Sequence, residues 1–129
     1  MGKEYYNGKL IFIGEYLKGK RNGKGREYDS GKLLFEGEYL NGVRNGIGKE
    51  YYSNGKLRFE GEYLNGKRNG KGKEYFDDGK ILFEGEYLNG QKWNGKEKEY
   101  NEYGEQIYKI VYLNGLMRKK KKKGYFTLW

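Results

Sequence analysis

Apolar and charged residues alternate in short segments of this chain. In residues 57–64, one side of an extended strand would carry the apolar residues and glycine, and the other would carry mainly charged residues. The first side consists of Leu57, Phe59, Gly61 and Tyr63. A period of two with aromatic residues predicts a β-strand. Asn65-Gly66 follows and predicts a tight hairpin turn, because both residues tolerate a positive φ.

The same pattern recurs at a fixed spacing. The segment Gly-Glu-Tyr-Leu begins at Gly14, Gly37, Gly61 and Gly85, with spacings of 23, 24 and 24 residues, and a degenerate copy occupies 110–115. A period of this size indicates a repeat array in which each unit packs on its neighbours. We place the units near 2–13, 14–36, 37–60, 61–84, 85–109 and 110–117, followed by a basic-aromatic tail at 118–129.

These features predict an all-β fold, an elongated single-layer antiparallel meander of about five stacked β-hairpins, solenoid-like in form. We expect aromatic residues to form a ladder along one face, since each cross-strand aromatic pair stabilises a sheet by about 0.2–1 kcal/mol. The fourth unit carries one extra residue in 91–95 by our alignment, which predicts a bulge near Trp93.

The repeated segment at 35–48 and 59–72 closely resembles the MORN repeat. The pattern of that repeat is an aromatic residue, any residue, Gly, any residue and a second aromatic residue, followed by two residues, Gly and then Gly-x-Gly. The pattern is recognisable at 12–25 and 83–95, although Tyr stands where Trp is commoner in the family. The resemblance implies stacked hairpins with a groove, and roles in protein scaffolding and phospholipid association. The units are also similar to MORN-type repeats of some bacterial antitoxin or immunity proteins.

The composition indicates a folded chain that is rich in both charged and aromatic residues. Charged residues make up 35% and the mean hydropathy is −1.15, yet 15 Tyr, 6 Phe and 2 Trp argue against disorder. The net charge is +9, but six of the 27 basic residues lie in 118–123, so the array itself is nearly balanced. Cysteine is absent, which excludes disulfides and thiolate metal sites. With no signal-like segment, we expect a cytoplasmic protein, in part peripheral to a membrane.

Catalysis is not expected from this residue set. The chain has no His and no Cys, and its carboxylates at Glu15, Glu38, Glu62 and Glu86 recur once per unit. An active site needs a unique constellation, whereas a repeated residue usually serves the repeat. We therefore expect no enzyme activity, no cofactor and no metal.

Two basic features are candidate anion-binding sites. A basic row would follow the hairpin tips, either as a binding edge for phosphates or an acidic peptide, or as charge that protects exposed strands. This row consists of Lys20, Arg21, Arg44, Lys67, Arg68 and Lys92. The tail could contact anionic lipid through its basic run and terminal aromatics, or it could remain solvated or cap the array. Its candidate contacts are Arg118, Lys119, Lys120, Lys121, Lys122, Lys123 and Trp129.

The leading hypothesis is a non-catalytic scaffold that binds a protein partner, as a peptide or helix, in an aromatic groove near a membrane. The expected groove aromatics are Tyr16, Phe35, Tyr39, Phe59, Tyr63, Phe83 and Tyr87. The alternatives are a module that binds anionic phospholipid or phosphoinositide, and an immunity-type repeat protein. A nucleic-acid partner is not expected, and pairing of end strands would allow a homodimer.

Overall fold

A computed structural model describes residues 1–121 of the chain. Within these residues there are no helices, and 11 antiparallel strands form one sheet in sequence order. The strands are β1 (Gly2–Tyr6), β2 (Lys9–Leu17), β3 (Lys20–Asp29), β4 (Lys32–Leu40), β5 (Val43–Tyr51), β6 (Leu57–Leu64), β7 (Lys67–Tyr75), β8 (Ile81–Leu88), β9 (Gln91–Tyr100), β10 (Gln106–Leu113) and β11 (Leu116–Lys121). The predicted all-β hairpin meander is confirmed.

Tight two-residue turns join β2 to β3 and every second pair thereafter. We call these the tip turns, and they comprise 18–19, 41–42, 65–66, 89–90 and 114–115. Both central residues have a positive φ, as at Asn65 (51°) and Gly66 (88°). Turns of this type match the twist of the flanking strands, which explains why Asn-Gly recurs at this position.

Four of the five tip turns are also bonded to the unit before them. The Gly66 amide donates to the Arg44 carbonyl at 2.8 Å, and the Asn65 amide donates to Asn45 Oδ1 at 3.0 Å. The turns at 41–42, 89–90 and 114–115 make the corresponding bonds. Neighbouring hairpins are therefore joined at their tips as well as along their strands.

A row of glycines crosses the sheet from β1 to β9, in which each glycine pairs with a glycine of the adjacent strand. The row consists of Gly2, Gly14, Gly25, Gly37, Gly48, Gly61, Gly72, Gly85 and Gly95. A Cβ at Gly48 would lie 2.5 Å from Phe35 Cζ and 3.0 Å from Tyr63 Cε1. The glycines thus provide the space in which aromatic rings lie on the backbone.

The aromatic residues form the core of the protein. Phe12, Phe35, Phe59 and Phe83 are fully buried, and Tyr39, Tyr63 and Tyr87 are 3–4% exposed. The expectation that these residues line an open partner groove is therefore wrong, with only Tyr16 partly exposed. A single-layer sheet has no second layer to cover its apolar residues, so the rings must cover one another.

The structure confirms the predicted bulge but corrects the residue count beside it and the predicted start of the tail. The bulge near Trp93 is confirmed between β8 and β9. Gly95, however, pairs with Gly85 as Gly72 pairs with Gly61, so this unit has one residue fewer at the bulge, not one more. The division at residue 117 falls inside a strand, because β11 continues to Lys121.

Candidate functional site

The two faces of the sheet differ in chemistry. We call the face that carries the phenylalanines the aromatic face and the opposite one the polar face. On the aromatic face, rings alternate in edge-to-face contact with centroid distances of 5.1–5.8 Å. The order along the array is Tyr16, Phe12, Tyr39, Phe35, Tyr63, Phe59, Tyr87, Phe83 and Tyr112. This geometry is the one that aromatic quadrupoles favour.

A Glu–Tyr–Arg cluster lies over the rings and spans three consecutive strands. Glu50 on β5 accepts hydrogen bonds from the Tyr63 hydroxyl on β6 and from Arg68 on β7, the latter at 3.0 and 3.1 Å. The same cluster recurs as Glu4, Tyr16 and Arg21, and as Glu27, Tyr39 and Arg44. Each cluster links one unit to the next.

The arginines of these clusters lie over the phenylalanine rings. The guanidinium carbon of Arg44 is 4.0 Å from the Phe35 ring centroid, and that of Arg68 is 4.1 Å from the Phe59 centroid. A cation at this distance is attracted by the ring face. The arginines therefore close the aromatic face, where they shield the phenylalanines from solvent.

This arrangement corrects the predicted basic row. Arg21, Arg44, Arg68 and Lys92 are partly buried and paired with carboxylates, so they do not form a free anion-binding edge. Lys20 and Lys67 are exposed at the tip turns. The carboxylates that neutralise the four paired residues are Glu4, Glu27, Glu50 and Glu97. The sequence signal for three of these carboxylates is a basic residue, Glu and Tyr in succession, which recurs around Glu4, Glu27 and Glu50.

The clusters shift the pKa values of their members. Burial would raise the pKa of Glu50, but hydrogen bonds from Arg68 and Tyr63 outweigh it, so the pKa of this carboxyl is lowered. The same balance lowers the pKa of Glu27. Burial, followed by the hydrogen bond to the neighbouring carboxylate, raises the pKa values of Tyr39 and Tyr63. The glutamates are therefore ionised and the tyrosines neutral near pH 7.

The polar face carries alternating charge from strand to strand. Lys49 on β5 is opposite Glu36 on β4 and Glu60 on β6, and Lys73 on β7 is opposite Glu60 and Glu84. Arg26 and Glu36 are 3.3 Å apart, and Lys73 and Glu84 are 3.5 Å apart. These pairs are largely solvated, so each contributes little to stability.

A groove runs across the strands on the polar face, and we call it the polar groove. Its floor is the backbone of the glycine row, and its two rims are formed mainly by charged residues, together with Ile13 and Ile47. It has two parts of about 690 and 640 Å³, which share Ile47 and Lys49. No aromatic residue lines either part. The groove extends over several units of the array.

The recurrent glutamates on one rim have a structural role. Glu38 accepts a hydrogen bond from the Ile47 amide at 2.6 Å, and Glu62 accepts one from the Lys71 amide. Both amides follow a glycine with positive φ, Gly46 (107°) and Gly70 (104°), at a strand irregularity. This structural role explains why a glutamate recurs once per unit.

Part of the predicted tail contributes to the sheet. Lys119 on β11 forms an ion pair with Glu99 at 2.8 Å, and its Nζ is 4.2 Å from the Tyr108 ring centroid. Arg118 and Lys120 also lie in β11. The side chain of Lys121 and all of Lys122, Lys123 and Trp129 lie outside the described residues.

Residues 1–121 contain neither a cluster of metal ligands nor a helix that could cross a membrane. Residues 1–121 contain no cluster of three or more potential metal-ligating side chains. Over this range, no helix has the length and apolar character needed to cross a bilayer.

Comparisons with known proteins identify the repeat. Residues 12–32 and 59–81 match the model of the MORN repeat, and residues 44–65 match that of a MORN repeat variant. No curated protein matches the chain. A chain in the crystal structure of the GtfA/B complex bound to UDP and GlcNAc is similar at 15% identity and a TM-score of 0.37. The similarity covers 85% of the present chain and 23% of that chain, so the present chain spans under a quarter of its length.

Proposed function

Because the chain contains MORN repeats, we propose that it is a non-catalytic scaffold that binds a protein partner, as a peptide or helix, in the polar groove. MORN repeats occur in repeat proteins that often bind membranes or proteins, and they are generally non-catalytic. The proposal keeps the function expected from the sequence but moves the binding surface to the opposite face.

The accessibility of the two faces carries this proposal. On the aromatic face the rings are buried under arginines that are already paired with carboxylates. On the polar face the backbone of Gly61 and Gly72 is accessible between two charged rims. A groove with an apolar floor and charged rims can bind a segment of another protein and select it by charge.

The proposal is tested by selection from a random peptide library displayed on phage, with the full-length protein immobilised. Selected peptides are synthesised and titrated against two double variants with the same charge change. The variant Lys49→Glu, Lys73→Glu alters the groove rims, whereas Lys18→Glu, Lys20→Glu alters a tip turn. We expect the groove variant to change the affinity of the selected peptides at least tenfold, in the direction set by the charge of each peptide, and the tip variant to have little effect. Equal effects of the two variants, or no selected peptides, would contradict the proposal.

A second candidate is association with anionic lipid, favoured by the six consecutive basic residues at 118–123. Such a run is attracted to an anionic surface by about 1 kcal/mol per residue. Co-sedimentation with vesicles containing phosphatidylserine would test it at low and high salt. The matched variant replaces Lys120, Lys122 and Lys123 with glutamine and leaves the Lys119–Glu99 pair intact. Salt-sensitive binding that the variant loses would support this function, and negligible binding by both proteins would exclude it.

A further inference from the structure

One position of the polar groove breaks the repeat. Between the two glycines of Gly-x-Gly, the array has Lys24 in one unit and Lys71 in another, but Ile47 in the unit between them. The Ile47 side chain is 57% exposed and belongs to both parts of the groove. An isoleucine exposed in this way, at a position held by lysine in both neighbouring units, has no role in the core, so its contribution lies at the surface.

The change from lysine to isoleucine also alters the charge balance. Lys24 is directly opposite Glu38, and Lys71 is directly opposite Glu86. The residue directly opposite Glu62 is Ile47, so this glutamate lacks the cross-strand lysine that Glu38 and Glu86 have. The middle of this rim of the groove therefore has an apolar side chain with a carboxylate on the strand at each side, although the chain as a whole has a net charge of +9.

The spacing of these three residues indicates the shape of a partner. Glu38, Ile47 and Glu62 lie on consecutive strands, β4, β5 and β6. Adjacent strands are about 4.8 Å apart, which is close to the 5.4 Å pitch of an α-helix. In an extended peptide, side chains on one side are about 6.6 Å apart. Over two strands, such side chains would no longer lie opposite the residues of the groove. A helix that lies along the groove matches the three positions better.

We propose that Glu38, Ile47 and Glu62 form a docking site for a short basic amphipathic helix. An apolar residue of the helix contacts Ile47, and a lysine or arginine about one turn away on each side pairs with Glu38 and Glu62. One oxygen of each glutamate accepts a backbone amide, and the carboxylate retains capacity for a second donor. This inference rests on the proposed function and names the chemistry of the partner.

The test uses synthetic 18-residue peptides in an Ala/Gln background that favours a helix. The first peptide carries one leucine with lysines at the fourth position before it and the fourth position after it. The second peptide carries glutamates in place of the two lysines. Each is labelled and titrated with the full-length protein by fluorescence anisotropy. The positive net charge of the protein would by itself favour the acidic peptide. If the docking site determines binding, we expect the lysine peptide to bind at least tenfold more tightly than the acidic one.

Three variants test which residues of the protein cause the preference for the lysine peptide. Ile47→Lys restores the residue of the neighbouring units, so it is compatible with the fold, and we expect it to abolish the preference. Leu17→Lys makes a similar change at a position with the same 57% exposure but outside the groove lining, and we expect no effect. Glu62→Gln keeps an acceptor for the Lys71 amide but removes the charge, and we expect a several-fold loss.

The outcomes separate this inference from the proposed function. No binding of the lysine peptide, or equal losses with Ile47→Lys and Leu17→Lys, would overturn the docking site. Peptides from the displayed library that require Lys49 and Lys73 but are insensitive to Ile47→Lys would leave the scaffold function standing without this site.

Discussion

On the aromatic face, residues of neighbouring units contact one another in a continuous series, whereas on the polar face they are paired only at the surface. Phe59, for example, contacts Tyr63 and Tyr87 at centroid distances of 5.6 and 5.3 Å and is fully buried. Lys73 on the other face is 3.5 Å from Glu84, with 44% of its side chain exposed. The first arrangement maintains the sheet, and the second leaves a surface that can change without loss of the fold.

This contrast explains why the sequence tolerates the change at Ile47 but repeats its phenylalanines without exception in the regular units. A single-layer sheet can bury only one of its faces in this way. Stability and recognition are therefore divided between opposite sides of the same strands, so that substitutions on the two sides have separable effects.

The largest effect is expected from Phe59→Ala. Loss of a fully buried ring leaves a cavity over the glycine row and should lower the free energy of unfolding by about 3–5 kcal/mol. Urea denaturation followed by tryptophan fluorescence measures the change. Phe76→Ala is the matched control, because Phe76 is only partly buried and contacts one ring, Tyr100. Equal losses for the two variants would contradict the assignment of the core, and Phe59→Leu provides a milder deletion if Phe59→Ala does not fold.

A smaller loss is expected from Arg68→Ala, at about 2–3 kcal/mol. This variant removes charged hydrogen bonds from Glu50 and leaves a partly buried carboxylate without its cation. Lys92→Ala in the fourth unit should cost about 1 kcal/mol, since Lys92 lies 5.3 Å from the Phe83 ring and lacks the planar fork of arginine. A double-mutant cycle of Arg68→Ala with Glu50→Gln should give a coupling energy well above zero. Additive effects would show that the cluster does not act as a unit.

The pH dependence of stability should also reflect the aromatic face. Glu27 and Glu50 have lowered pKa values, so their contribution is present above the ordinary value of 4.5 and is lost as the pH falls below it. Tyr39 and Tyr63 have raised pKa values, so their contribution is present below 10 and is lost as the pH rises above it. We expect midpoints of thermal unfolding to be highest between these limits. The variant Glu50→Gln should reduce the acid-side dependence.

The smallest effect is expected from Lys73→Gln on the polar face. An exposed ion pair contributes little, so the free energy of unfolding should change by less than about 0.5 kcal/mol. The same urea denaturation measures it, with 1 M salt as a second condition that screens the pair. A loss above 1 kcal/mol would mean that the polar face also maintains the fold.

The fold was largely predictable because its signals are local. The period of two placed Phe59 and Tyr63 on one side, and Asn65-Gly66 marked the turn. The position of Gly95 was not predictable in this way, because Gly-x-Gly is degenerate in that unit and the pairing with Gly85 depends on a bulge across the strands. Asn94-Gly95 has the same letters as Asn69-Gly70, which is why the sequence alone predicts an extra residue there.

The candidate site was less predictable, because the same residue types serve cores and interfaces. Aromatic residues such as Tyr39 and Phe35 are typical of binding surfaces, and only the burial of each ring shows that they form the core. The pairing of Arg44 with Glu27 depends on two strand registers that the sequence alone does not provide. Ile47 was visible in the sequence as the one change in Gly-x-Gly between two regular units, but its surface position required the structure.

The bonds between successive tip turns have a kinetic consequence. Because Gly66 is bonded to Arg44 and every strand pairs with the next in sequence, each native contact closes only a short loop of chain. Sheets usually form slowly because distant segments must find one another. This chain has no such search over residues 1–121, so a hairpin formed anywhere can serve as a template for the next. Its folding rate should therefore approach that of proteins dominated by local contacts, which is uncommon for a molecule made of strands.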